Sequence, residues 1–148
     1  MRIYLDMCCY SRRYDETATE NISTENKSVM RIQTEIVRKN IELVTSFMLH
    51  YENYCKKDSK AKANIDFFIK TYRKIYVGVE NIDNLKIFKD KIILQGIKEK
   101  DAYHLASAIF TNCDYFVTVD KKLLKYFCEE IKIINPVNFW EVYKNDNA

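Results

Sequence analysis

Short β-rich runs alternate with segments of helical spacing along the whole chain, and this alternation restricts the fold more than any other feature. Ile3 to Leu5, Ile41 to Thr45, Ile75 to Val79, Tyr115 to Val119 and Ile131 to Ile134 read as strands. Between them, helical spacing runs from Asn26 to about Asn40 and from Lys60 to Tyr72. Ser46 is placed to cap a helix reaching about Lys57, and Gly96 to stop one over Asp83 to Leu94. Further helices are expected over Lys98 to Thr111 and Lys121 to Cys128, and Pro136 opens a last one with Phe139, Trp140 and Val142. The stretch from Met7 to Asn26 reads as polar and irregular. Strands and helices in this order predict an α/β fold, a three-layer α/β/α sandwich around a mostly parallel five-stranded sheet. A single domain over residues 1–148 fits the length.

Composition adds limits and little else. With 47% hydrophobic and 14% aromatic residues, the chain can bury a core without disulfides or a structural metal. Only 2 Gly and 1 Pro argue against long flexible linkers. The formal charge of +3 permits a nucleic-acid partner without arguing for one, so function has to be read from a site. The 5 Cys (Cys8, Cys9, Cys55, Cys113 and Cys128) are odd in number and show no Cys-x-x-Cys spacing. That pattern fits reduced thiols in a cytoplasmic protein better than a disulfide framework or a zinc knuckle. No run has the length of a signal peptide or a membrane span, so the expectation is a soluble, intracellular protein.

In parallel sheets, ligands bind beyond the carboxyl ends of the strands, where the strand order reverses. Two strands end in an acid there: Ile3-Tyr4-Leu5 runs into Asp6, and Tyr115 to Val119 runs into Asp120. If the first strand is central and the fourth lies beside it, these carboxylates are neighbours. Asp101 opens the helix before the fourth strand and falls on its apolar arc with Leu105 and Ala108. A carboxylate facing inward is costly unless something satisfies it. Glu52 lies at the edge of the buried face of the helix after the second strand, three residues from Cys55 and four from Met48. Four converging carboxylates repel one another, and a divalent cation reverses that. All-oxygen ligation suits Mg²⁺ or Mn²⁺, which act in phosphodiester hydrolysis. Blander readings exist for single members: Asp120 as a helix N-cap and Glu52 as a solvated helix edge. His104, one turn from Asp101, could orient water or a metal ligand, and its blander reading is a partly exposed structural histidine.

With these residues in view, the sequence resembles the PIN-domain family, which includes VapC-type toxin ribonucleases. The resemblance rests on the strand ending in Asp6, on Ser46 followed by Glu52 in Thr-Ser-Phe-Met-Leu-His-Tyr-Glu, on Asp101 in Lys-Asp-Ala-Tyr-His-Leu-Ala-Ser-Ala, and on Thr118 and Asp120 in Val-Thr-Val-Asp-Lys. It implies Asp6, Glu52, Asp101 and Asp120 as metal-binding catalytic acids, with Thr118 and Ser46 in support. It also implies an Mg- or Mn-dependent endoribonuclease acting on an RNA substrate. A toxin role would imply a small antitoxin protein as partner, and a homodimer. The chain departs from the family pattern after Asp6, where Met7, Cys8 and Cys9 replace the usual small polar residues. The segment that follows carries Tyr10, Arg12 and Arg13, which could contact RNA phosphates and bases.

The competing reading is a non-catalytic protein- or RNA-binding module on the same fold, motivated by that departure. A phospho-receiver domain would need an acid after the third strand, which instead ends at Gly78 and Val79. An Asp-nucleophile phosphatase would need a second acid at the position of Cys8. Gly78 and Gly96 cannot make a phosphate-binding glycine loop, which also removes a dinucleotide fold.

Overall fold

A computed structural model describes residues 1–12, 14 and 20–147. Five parallel strands form one sheet in the order β3-β2-β1-β4-β5, where β1 is Arg2–Leu5, β2 Glu42–Ser46, β3 Arg73–Val77, β4 Tyr115–Val117 and β5 Lys132–Ile134. The chain steps outward from β1 through β2 to β3, then crosses back and steps outward through β4 to β5. The order therefore reverses beside β1, and the crevice of such sheets opens there, at the carboxyl ends. Ile3, Tyr4 and Leu5 are completely buried, as expected of a strand covered on both faces.

Eight helices, counted among the described residues, cover the two faces: α1 Met7–Arg12, α2 Glu20–Val37, α3 Phe47–Tyr54, α4 Ser59–Thr71, α5 Ile82–Leu94, α6 Glu99–Phe110, α7 Lys121–Lys125 and α8 Pro136–Asp146. Helix α5 packs on α6, and α2 on α8. Helix α6 lies close against the sheet because Ala102, Ala106 and Ala108 present almost no bulk; all three are fully buried. Its first turn, with Asp101, is thereby carried to the crevice. Helix α3 begins where β2 ends, since the Ser46 hydroxyl accepts the Met48 N–H (3.2 Å) and caps it. Helix α5 stops before Gly96, whose φ of +91° suits glycine alone.

The structure differs from the sequence-based expectation at several element ends; α3, for one, stops at Tyr54 instead of about Lys57. Among the described residues after Asp6, Met7–Arg12 form the short helix α1, and α2 starts at Glu20 instead of Asn26. Strand β3 begins at Arg73, two residues early. Strand β4 ends at Val117, and the Thr118 hydroxyl just beyond it turns to Asp6 (2.8 Å). Helix α7 ends at Lys125, short of Cys128. Among the described residues, no helix is long and apolar enough to cross a membrane.

Candidate metal centre

Asp6 follows the central strand directly and is 5% exposed. Its backbone N–H continues the ladder to the Val117 carbonyl (2.9 Å), which holds it opposite Thr118. Its carboxylate is well supplied with donors. Oδ1 accepts the Met7 N–H (2.8 Å); Oδ2 accepts the Thr118 hydroxyl (2.8 Å) and the Cys8 thiol (3.4 Å). The Thr118 oxygen in turn accepts the Asp120 N–H (3.0 Å), so one threonine ties the ends of β1 and β4 together. Asp120 is half-buried and caps α7, its Oδ1 accepting from Lys122 N (2.8 Å) and Leu123 N (3.4 Å).

Glu52 approaches from α3 and is hydrogen-bonded to His104 Nε2. His104 is fully buried, not partly exposed, and its other ring nitrogen meets the Tyr4 hydroxyl (2.6 Å). That hydroxyl also reaches Ser46 Oγ (2.6 Å). A relay therefore runs from Ser46 through Tyr4 and His104 to Glu52, crossing β2, β1, α6 and α3. Burial works against a charged imidazole, but the Glu52 hydrogen bond and the Asp6, Glu52 and Asp101 carboxylates outweigh it and raise the pKa of His104. Burial first, then nearby negative groups, holds the Tyr4 phenol well above its ordinary range against the Ser46 hydrogen bond.

Asp6, Glu52 and His104 form the tightest potential ligand set among the described residues, each offering an atom within 4.8 Å of the others. Asp101 and Asp120 stand outside that set and join it through charge. Burial, then the Asp6 carboxylate, pushes Asp101 up to about 6; Asp120 and Glu52 add to this and His104 opposes it. A cavity of about 630 Å³ opens beside Glu52 and Asp101, with Lys98 and Lys100 on its wall. Asp114 lies at the other end of the sheet, where it accepts the Arg2 N–H (2.8 Å).

Of the contacts suggested for the segment after Asp6, the structure removes that of Tyr10. Tyr10 is 1% exposed and packs edge-on against Phe68 (6.1 Å), so its ring is not available to stack on a base. Arg12 is ion-paired with Glu25 (3.7 Å), and Arg13 lies outside the described residues. Tyr4 was missed because a tyrosine in a buried strand reads as core. Cys8 was noted only as a departure from the family pattern, since its thiol contact with Asp6 depends on how the chain turns after β1. His104 had one cue: three residues after Asp101, it shares that residue's face of α6.

No protein-family model matches the sequence, and no curated protein matches it. Among solved structures, the chain is similar to one in VapBC2 from Rickettsia felis, crystallised bound to a DNA fragment from their promoter. The TM-score is 0.59 at 16% identity, over 91% of this chain and 98% of that one. It is similar also to a chain of FitAcB from Neisseria gonorrhoeae, with a TM-score of 0.51 at 13% identity, over 90% of this chain and 97% of that one. At these identities the likeness is one of fold.

Proposed function

We propose that this chain, a domain of PIN-like fold, is a metal-dependent endoribonuclease that hydrolyses RNA phosphodiester bonds as the toxin of a toxin–antitoxin pair. The observation that supports the reading is the set of Asp6, Glu52 and His104, whose ligand atoms lie within 4.8 Å of one another; Asp101, pushed up to about 6 by burial, also feels the charges of Asp6, Asp120 and Glu52. Excess negative charge of this kind is what a divalent cation relieves.

The donor set fits such an ion. The four carboxylates offer oxygen, and both ring nitrogens of His104 are already engaged, by Glu52 and Tyr4. Oxygen donors suit Mg²⁺ or Mn²⁺. Asp6, Glu52, Asp101 and Asp120 would hold the ion, which when bound supplies charge stabilisation to a phosphate and activates water. The chain's own residues do the positioning. Thr118 fixes Asp6 and the start of Asp120, His104 fixes Glu52, and Ser46 anchors both Tyr4 and the start of α3. VapBC2 and FitAcB are toxin–antitoxin complexes, which supports a small antitoxin as the partner. An antitoxin arginine reaching the carboxylates would neutralise the same charge as the metal.

One observation favours a second reading, a non-catalytic binding module. The Cys8 thiol already donates to Asp6 Oδ2, the oxygen that Thr118 also uses. Two measurements decide between them. Asp6→Asn and Asp101→Asn should each abolish Mn²⁺-dependent cleavage of RNA while far-UV circular dichroism stays unchanged. Anomalous diffraction from Mn²⁺-soaked crystals should show a peak among the four carboxylates. Cleavage that survives in both variants, or no peak, would favour the binding module.

A further inference from the structure

An acidic centre that acts on a polyanion has to hold the strand elsewhere, because four carboxylates repel the phosphates on either side of the bond to be cut. Positive or stacking groups next to the centre are therefore needed, and the segment after Asp6 does not provide the Tyr10 ring. Helix α3 does provide such groups. Tyr51 and Tyr54 are 51% and 75% exposed, although large aromatic side chains are usually drawn inside. Three residues apart, they project from neighbouring turns of one helix face, about 4.5 Å apart along its axis.

Each ring carries an ammonium from another helix. Lys100 Nζ of α6 lies 5.3 Å from the Tyr51 centroid, and Lys62 Nζ of α4 lies 4.8 Å from that of Tyr54. Lys100 also lines the cavity that holds Glu52 and Asp101. Tyr51, Tyr54 and Lys62 line a second cavity of about 580 Å³ along α3 and α4. Lys100 of the first cavity thus meets Tyr51 of the second, which is also lined by Tyr54 and Asp66. A ring that can stack on a base, next to a cation that can meet a phosphate, suits one nucleotide; two such units in series suit a short single strand.

We propose that the α3 face bearing Tyr51 and Tyr54, with Lys100 and Lys62, is the track that holds single-stranded nucleic acid flanking the scissile phosphate. This deepens the nuclease reading and rests on it. Bases stack on the two rings, and the lysines exchange their ring contacts for phosphates.

The test is fluorescence anisotropy of the full chain with a labelled single-stranded RNA of about ten nucleotides, and with its DNA counterpart. EDTA is present, so binding is read without cleavage. Tyr51→Ala and Tyr54→Ala should each weaken binding about 5- to 100-fold. Tyr51→Phe and Tyr54→Phe, which keep the ring, should bind within about twofold of the unaltered chain. Lys100→Gln and Lys62→Gln should each lower the log–log salt slope by about 0.7. Losses on RNA and DNA alike support a track that reads bases and phosphates; losses on RNA alone support one that also reads the 2′-hydroxyl. The proposal is overturned if the double Ala variant binds both strands as the unaltered chain does, or if the Phe variants lose as much as the Ala ones. Light scattering on the same samples covers the other occupant. A dimer that dissociates in the double Ala variant, with nucleic-acid affinity unchanged, would make this face a contact between copies. Failure of the nuclease reading shows up separately, as cleavage that survives Asp6→Asn and Asp101→Asn.

Discussion

Asp101 and His104 sit one turn apart on α6, and the negative groups of the cluster raise the pKa of both. The native state binds the Asp101 proton more tightly than the unfolded chain does, because its pKa is raised from 3.8 to about 6. As pH rises through that window, the unfolded chain gives up the proton first, so folding stability falls until about pH 6 and is level above it. Asp101→Asn should escape this loss. In EDTA its unfolding free energy, read by urea titration, should exceed that of the unaltered chain at pH 8 by about 1–2 kcal/mol once discounted for a half-exposed group, with the gap closing towards pH 4. Mn²⁺ should raise the melting temperature of the unaltered chain and leave that of the variant unmoved. His104 is a positioning residue, since it acts through Glu52. His104→Ala should lower Mn²⁺ affinity about 10- to 100-fold. His104→Gln, which can still donate to Glu52, should recover part of it, read by isothermal titration. A purely structural histidine would instead lower the melting temperature and leave Mn²⁺ affinity unchanged.

At the level of elements, capping links stability to the site. Asp58 and Asp120 are both N-caps, each accepting two backbone N–H groups at the start of α4 and α7. Replacing either by Ala should cost about 1 kcal/mol in urea unfolding. The two should part in metal titration: Asp120→Ala is expected to lose Mn²⁺ affinity as well, and Asp58→Ala to keep it. Equal Mn²⁺ binding in both would reduce Asp120 to a cap. Helix α1 shows the reverse dependence, of an element on its surroundings. It has only six residues, Met7–Arg12, and isolated helices of that length do not persist in water. It is held by burying Met7, Cys9 and Tyr10, and its start is fixed by the Asp6 carboxylate accepting the Met7 N–H.

Across the whole molecule, the site is only as rigid as the sheet beneath it. Phe116 is fully buried and stacks on Tyr4, with centroids 5.4 Å apart and planes 10° from parallel. The same Tyr4 hydroxyl anchors the relay to Glu52. Phe116→Ala should cost about 3–5 kcal/mol in urea unfolding, a large part of the 5–15 kcal/mol typical of a domain. It should also weaken Mn²⁺ binding in the fraction that stays folded, acting through Tyr4, on which Phe116 stacks. A stability loss with unchanged Mn²⁺ affinity would show that the core and the site are uncoupled.

Much of this was legible in the chain itself because it depends on near neighbours. The alternation of strand and helix, the Ser46 cap, the stop at Gly96 and the start at Pro136 are set within a few residues, and all appear in the structure. The acids at the strand ends were legible too, since an apolar run ending in a carboxylate is a local pattern. Helix α1 was not, because six residues are too few to display a helical period, and its sequence was read as a polar loop. That misreading turned Tyr10 outward when the structure buries it. The relay could not be read at all. Tyr4 meets His104 one hundred residues away, and His104 meets Glu52 fifty-two residues away. Such pairs are decided by which strand lies beside which and how close α6 lies to the sheet. Those are properties of the packed whole, and no local stretch of sequence carries them.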